Sequence, residues 1–260
     1  MQRPEPILTG ELFAPLHEEL IALLRGLARE EWELPTAAGA WTVKDVAAHL
    51  LDTAIRRLAI QRDGYLRPGP FDPNGANRVW VEAAARLSPK LLVELLEEYG
   101  AQQAAFLSSL DPFADALWGV TWAGEEQSPM WFDLARELTE RWHHQEQIRN
   151  AVGRPGLDRY RPVVIDAFVR ALPHAYRGIS APAETTVVLR VDDASWSLVR
   201  EKAWELYRGE APAPTTQIEL AGDVAWRLFT KGLRCEQVAA TVTGDARLAE
   251  PVLSMVTVIG

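Results

Sequence analysis

The sequence predicts an α + (α+β) protein: a four-helix bundle followed by a small α+β domain. Three observations carry this. Four long stretches before about residue 153 space their apolar residues as helices do. A Pro/Gly/Asn-rich stretch, "RPGPFDPNGAN", separates the second from the third. After "GRPGLD" the text changes to short alternating runs rich in β-branched and aromatic residues, the pattern of strands. The boundary falls near residue 155, giving domains 1–155 and 156–260.

The first helix is "ELFAPLHEELIALLRGLAREEW", with apolar residues at 12, 13, 16, 20, 23, 24 and 27. The second is "WTVKDVAAHLLDTAIRRLAIQRDGY". Thr42 with Asp45 three residues later forms a capping-box pattern, so this helix starts there. "RPGPFDPNGAN" reads as a loop, with a short helix near 75–86. Ser88 and Pro89 open the third helix as N-cap and first helical residue. Ser128 and Pro129 repeat that signal for the fourth, and Gly153 ends it. Four amphipathic helices with short connections most economically form a bundle. Beyond it, "RYRPVVIDAFVRALPHAYRGI" reads as one connecting helix. "TTVVLRV", "ASWSLVR", "AWELYRG", "TTQIELAG" and "VAATVTGD" read as strands. "DVAWRLFTKG" reads as a helix and "ARLAEPVLSMVTVI" as a closing helix or helix-strand.

Composition narrows the function. The 260 residues are 48% hydrophobic and 24% charged, a mix able to bury a core. The net charge of -9, from 36 acids and 27 bases, disfavours nonspecific binding to nucleic acid or to an anionic membrane. Cys235 is the single cysteine, which excludes an intrachain disulfide or a Cys-based zinc cluster and fits a reducing compartment. The N-terminus lacks a signal-peptide pattern, and no apolar run reaches the ~18 residues of a membrane span. The expected location is the cytoplasm. Gly-x-Gly-x-x-Gly, P-loop and Gly-x-Ser-x-Gly motifs are absent, which leaves nucleotide and serine-hydrolase readings without support.

The chemistry concentrates in "ELTERWHHQEQIRNAVG". Glu140 and His144, four apart, lie roughly 40° from one another around a helix, whereas His143 is rotated by roughly 100° from His144. A carboxylate and an imidazole suit Zn²⁺ and other divalent first-row ions. One helix supplies two such ligands, so a third must come from elsewhere. His49 lies in the middle of a helix able to pack beside the fourth, and bundles build metal sites from facing helices. Glu140 and His144 lie opposite the apolar stripe of Trp131, Leu134, Leu138, Trp142 and Val152, beside Asp133 and Gln147. His49 lies off the stripe of Val43, Val46, Ala47, Leu50 and Ala54. The three are therefore either solvated or line a polar cleft where two helices meet. His17 reads as a surface residue of the first helix, and His143 as a polar surface residue ahead of a hydrogen-bond partner behind the ligands. His174 sits at a helix end, where a cation is favoured. Trp118 and Trp122 read as core ahead of a pocket wall.

These stretches resemble a known family. "AWTVKDVAAHLLD" is similar to the second-helix motif of the DinB-like superfamily, in its mycothiol-dependent maleylpyruvate isomerase branch. "ELTERWHHQEQIRNAVGRP" resembles that branch's fourth helix, and "FDPNGANRVWVEAAARLSPKLLVELLEEY" its linking region and third helix. The tail resembles, more weakly, the family's sterol-carrier-like C-terminal α+β domain. The resemblance implies His49, Glu140 and His144 as ligands of a divalent metal, usually zinc. It also implies a low-molecular-weight thiol such as mycothiol, with bacillithiol as the counterpart in other members. A metal lowers the thiol pKa, and the thiolate adds to an electrophilic carbon. In the isomerases, addition lets a cis double bond rotate, and elimination returns the trans product. An arginine of the C-terminal domain acts on substrate carboxylates, a role open here to Arg227 or Arg234. The expected function is a thiol-using isomerase or S-transferase acting on a small molecule. Two alternatives are a small-molecule or lipid binding protein and a metal-dependent hydrolase on the same ligands. Monomer and homodimer are both open.

Overall fold

The computed structural model describes residues 1–66 and 72–257. The first part of the expected 67–77 loop and the last residues of the closing segment lie outside the described residues. Two compact units emerge. One comprises Leu8–Leu117 and Glu137–Leu157, and the other comprises Met1–Ile7, Trp118–Arg136 and Asp158–Gly260.

The first unit is helical. It holds α1 (Phe13–Arg25), α2 (Val43–Arg57), α3 (Pro73–Ala84), α4 (Pro89–Ser108) and, from Glu137 onward, α5 (Met130–Ala151). α2 starts where its cap requires. The Thr42 hydroxyl accepts the Asp45 N–H at 3.3 Å, and the Asp45 carboxylate accepts the Thr42 N–H at 3.0 Å, which satisfies two backbone donors that the first turn leaves unpaired. α2 runs on into a π-helical turn, Leu58–Arg62. Ser88 caps α4 by accepting the Leu91 N–H at 3.2 Å, with Pro89 in the first helical position. α5 opens at Met130, one residue later than its Ser-Pro signal places it. The Ser128 hydroxyl accepts the Val120 N–H at 2.9 Å. At its other end Gly153 adopts φ +64°, and the N–H groups of Gly153 and Arg154 close onto the carbonyls of Asn150 and Arg149. This is a Schellman ending, and a residue without Cβ takes that left-handed position without strain. The core interleaves Leu20 and Leu24 of α1 with Val43, Val46, Ala47 and Leu50 of α2. Leu92 and Leu96 of α4 and Ile148 and Val152 near the end of α5 complete it.

The second unit carries a five-stranded mixed sheet in the order β3-β2-β1-β4-β5. The strands are β1 (Thr186–Val191), β2 (Ala194–Arg200), β3 (Trp204–Arg208), β4 (Thr216–Leu220) and β5 (Thr241–Gly244). β1 and β4 are parallel and the other pairs antiparallel. The expected connecting helix is broken into α6 (Arg161–Phe168), a 3-10 turn and α7 (Leu172–Ala175). Pro173 lacks the N–H an uninterrupted helix needs there, and its ring collides with the carbonyl four residues back. Asp166 of α6 accepts from Trp196 Nε1 at 2.8 Å and from Arg208 at 3.0 Å, which pins α6 to the sheet. α8 (Gly222–Phe229) lies between β4 and β5. The closing segment forms the one-turn α9 (Glu250–Leu253), with no strand after it among the described residues. No helix among the described residues is long and apolar enough to cross a membrane.

Candidate metal centre

His49 lies on the second turn of α2, its height and rotation fixed by the cap at Thr42. Glu140 and His144 lie one turn apart on α5. The fold brings these three side chains together within the helical unit. Glu140 Oε1 is 3.1 Å from His49 Nε2 and 3.2 Å from His144 Nε2, and one ligand atom from each residue lies within 4.8 Å of the others. The two imidazoles meet edge to face, with centroids 4.8 Å apart. Trp41 packs on the His49 ring at 5.1 Å, and Asp52, one turn beyond His49, pairs with Arg56 at 3.1 Å.

The electrostatics of the cluster suit a cation. Burial pushes the Glu140 carboxyl up. The His144 charge and hydrogen bonds from His144 and His49 outweigh it and hold the group well below the usual carboxylate range. Burial pushes the His49 imidazole down, against the hydrogen bond it donates to Glu140. An ionised carboxylate and a neutral imidazole are the protonation states that metal ligands need. Two imidazole nitrogens and one carboxylate oxygen form a three-ligand set of the kind that leaves a fourth position open on Zn²⁺. The residues present therefore fit the group.

The burial of this face decides between the two readings the helical wheel left open, against the solvated one. His49 and His144 are each 3% exposed, and nearly every side chain from Phe132 to Arg149 is buried. α5 is polar yet interior because its polar groups find partners. Gln103 donates to Glu137 at 3.0 Å, Gln145 to the Leu16 carbonyl at 2.8 Å, and Trp142 to the Leu157 carbonyl at 3.1 Å. Glu146 accepts the Leu157 N–H at 2.6 Å. Two other histidine expectations are corrected. His143 is 1% exposed, with its Nδ1 on the Thr139 carbonyl at 3.1 Å, and burial together with the His144 charge lowers its pKa to about 3. His17 is 7% exposed and packs against Gly100, where a Cβ would lie 2.2 Å from the ring. Burial and the Arg141 charge lower its pKa to about 4.

The remaining candidates lie in the sheet-bearing unit. Arg227 on α8 pairs with Asp223 at 3.0 Å and lies over the Trp226 ring, while Arg234 is exposed in the loop that follows. His174 sits in the last turn of α7, where burial and then Arg177 lower its pKa, so it is not held as a cation. Trp122 is half-buried: it packs edge-on against Phe132 at 5.5 Å and also lines a cavity with His174 and Met255, whereas Trp118 is 38% exposed. The contact that sequence reasoning missed is Gln147 Oε1 at 2.8 Å from His144 Nδ1. Its signal was the i, i+3 spacing on the same polar face.

A helical region carrying an interhelical His-Glu-His cluster, followed by a mixed-sheet unit, defines a two-part class of protein. Residues 13–149 match the family model described as the mycothiol maleylpyruvate isomerase N-terminal domain, and the chain belongs to that family. A crystal structure of a histidine-to-alanine mutant of the mycothiol-dependent maleylpyruvate isomerase aligns with a TM-score of 0.56 at 16% identity, over 91% of this chain and 91% of that chain. The structure of the mycothiol-dependent maleylpyruvate isomerase itself aligns at 0.54 and 15% identity, over 84% of this chain and 85% of that one. At these identities the likeness establishes the fold. No curated protein sequence matches the chain.

Proposed function

We propose that the chain is a metal-dependent enzyme that uses a mycothiol-type thiol against an electrophilic small molecule, as a cis-trans isomerase or an S-transferase. The observation that carries the reading is the convergence of His49, Glu140 and His144 within 4.8 Å in a chain that belongs to this family. On this reading residues 1–155 form a DinB-like four-helix bundle and residues 156–260 a sterol-carrier-like domain. His49, Glu140 and His144 would hold a divalent cation, zinc by the chemistry of the donor set, which would supply the positive charge that lowers the pKa of an incoming thiol. The chain's own part is to hold that cation. Glu140 contributes a full negative charge and the histidines two uncharged nitrogens, so the site keeps a net positive charge for an anionic ligand. Trp41 and the buried surroundings of His49 exclude bulk water, which strengthens that field. Arg227 or Arg234 supplies the guanidinium for a substrate carboxylate.

The test combines metal content with turnover. Protein purified without chelator is expected to carry one divalent ion per chain. His49→Ala, Glu140→Ala and His144→Ala lose it and His143→Ala keeps it. The metal-loaded protein is expected to isomerise maleylpyruvate, or to transfer the thiol to an electrophile, only when mycothiol or bacillithiol is added. Turnover that needs metal but no thiol makes the chain a hydrolase. A chain that binds no metal but retains lipid through purification is a binding protein.

A further inference from the structure

We propose that Gln147 is the positioning residue that sets the tautomer of His144 for cation binding, an inference that rests on the metal-site reading above. The two histidines of the cluster are held in different ways. His144 Nδ1 lies 2.8 Å from Gln147 Oε1, one turn further along α5, and both side chains are buried. His49 Nδ1 is also buried but has no hydrogen-bond partner among the described residues, and its ring packs against Trp41.

A neutral imidazole offers a lone pair from one nitrogen only when the proton sits on the other, and the partner of the second nitrogen decides which it is. Gln147 Oε1 accepts the Nδ1 proton of His144. A bound cation would then take the Nε2 lone pair in place of the contact that Nε2 makes with Glu140 Oε1 at 3.2 Å, at the point where the ligand atoms converge. The amide also fixes the rotation of the ring. Tautomer selection by a hydrogen bond thus rests on Gln147 alone, since His49 has no equivalent acceptor among the described residues. A residue three positions after a helical ligand lies beside it on the same face, so α5 carries two ligands and the group that orients one of them.

The experiment titrates the parent, Gln147→Leu, Gln147→Glu and His144→Ala with Zn²⁺ against a chromophoric chelator. It also follows exchange of the His144 Nδ1 proton by NMR in zinc-loaded protein. Gln147→Leu fills similar space without an acceptor and is expected to bind zinc roughly 10–100-fold more weakly, with fast exchange of that proton. Gln147→Glu can only accept and is expected to bind at least as tightly as the parent. Parental affinity in Gln147→Leu, with binding lost in His144→Ala, overturns the positioning role and leaves the metal reading standing. Weaker binding in Gln147→Glu overturns it even where Gln147→Leu does not fold. A parent that takes up no zinc removes both.

Discussion

His17 and His144 are both buried imidazoles, but only one has chemistry around it. His144 has Glu140 and Gln147 within hydrogen-bond distance, whereas His17 lies against the bare backbone of Gly100 and stays neutral. Unfolded, His17 takes up a proton near pH 6.5; folded, it resists until about pH 4. Its contribution is therefore intact above pH 6.5 and is lost as pH falls towards 4, a change of about 3 kcal/mol at most. The stability of His17→Leu, measured by urea unfolding between pH 7 and 4, is expected to fall less steeply than the parent's. Parallel curves would mean that His17 is not the group responsible. At this scale the sequence was half legible. The Glu140–His144 spacing is visible because four residues on a helix always share a face. The burial of His17 and His143 was not, because a helical wheel shows one helix's own residues and not neighbours from other helices, such as the Gly100 that lies against His17.

At the scale of elements, local chemistry was the better guide. β2 spans the residues expected of it, because period-two alternation needs no knowledge of the partner strand. The starts of α2 and α4 were legible because their signals are local, the Thr42–Asp45 box in one and Ser88 followed by Pro89 in the other. The connecting helix was misread because its apolar spacing continues through Pro173, where the backbone cannot follow. The position of His49 depends on one of these local devices. Thr42→Ala removes an N-cap hydroxyl and is expected to cost about 1 kcal/mol in thermal or chemical unfolding, with Thr42→Ser close to the parent. An alanine variant as stable as the parent would show that the Asp45 side of the box suffices.

Across the whole molecule, on the metal-site reading, a cation held by His49, Glu140 and His144 would tie α2 to α5 in the folded chain and would have no equivalent in the unfolded one. A ligand bound only to the native state stabilises by an amount set by its concentration over Kd, about 2.7 kcal/mol at one hundred times Kd. Chelation is therefore expected to lower the melting temperature of the parent, followed by helical circular dichroism, and to leave that of His144→Ala unchanged. An equal drop in both would place the bound metal elsewhere. The organisation at this scale was only partly readable. Alternation announced a sheet, but its mixed order, with β1 beside β4, follows from packing that no single segment encodes.

The distance along the chain between His49 and Glu140, 91 residues, bears on how the site is born. At ~5–20 residues per second, a ribosome needs roughly 5–20 s to travel from one to the other. Throughout that interval the nascent α2 carries a lone imidazole, which by itself is a weak and unselective ligand. On the metal-site reading, the choice of ion is made only once α5 has emerged and folded back. The site then draws on whichever ions the cell leaves free at the end of synthesis.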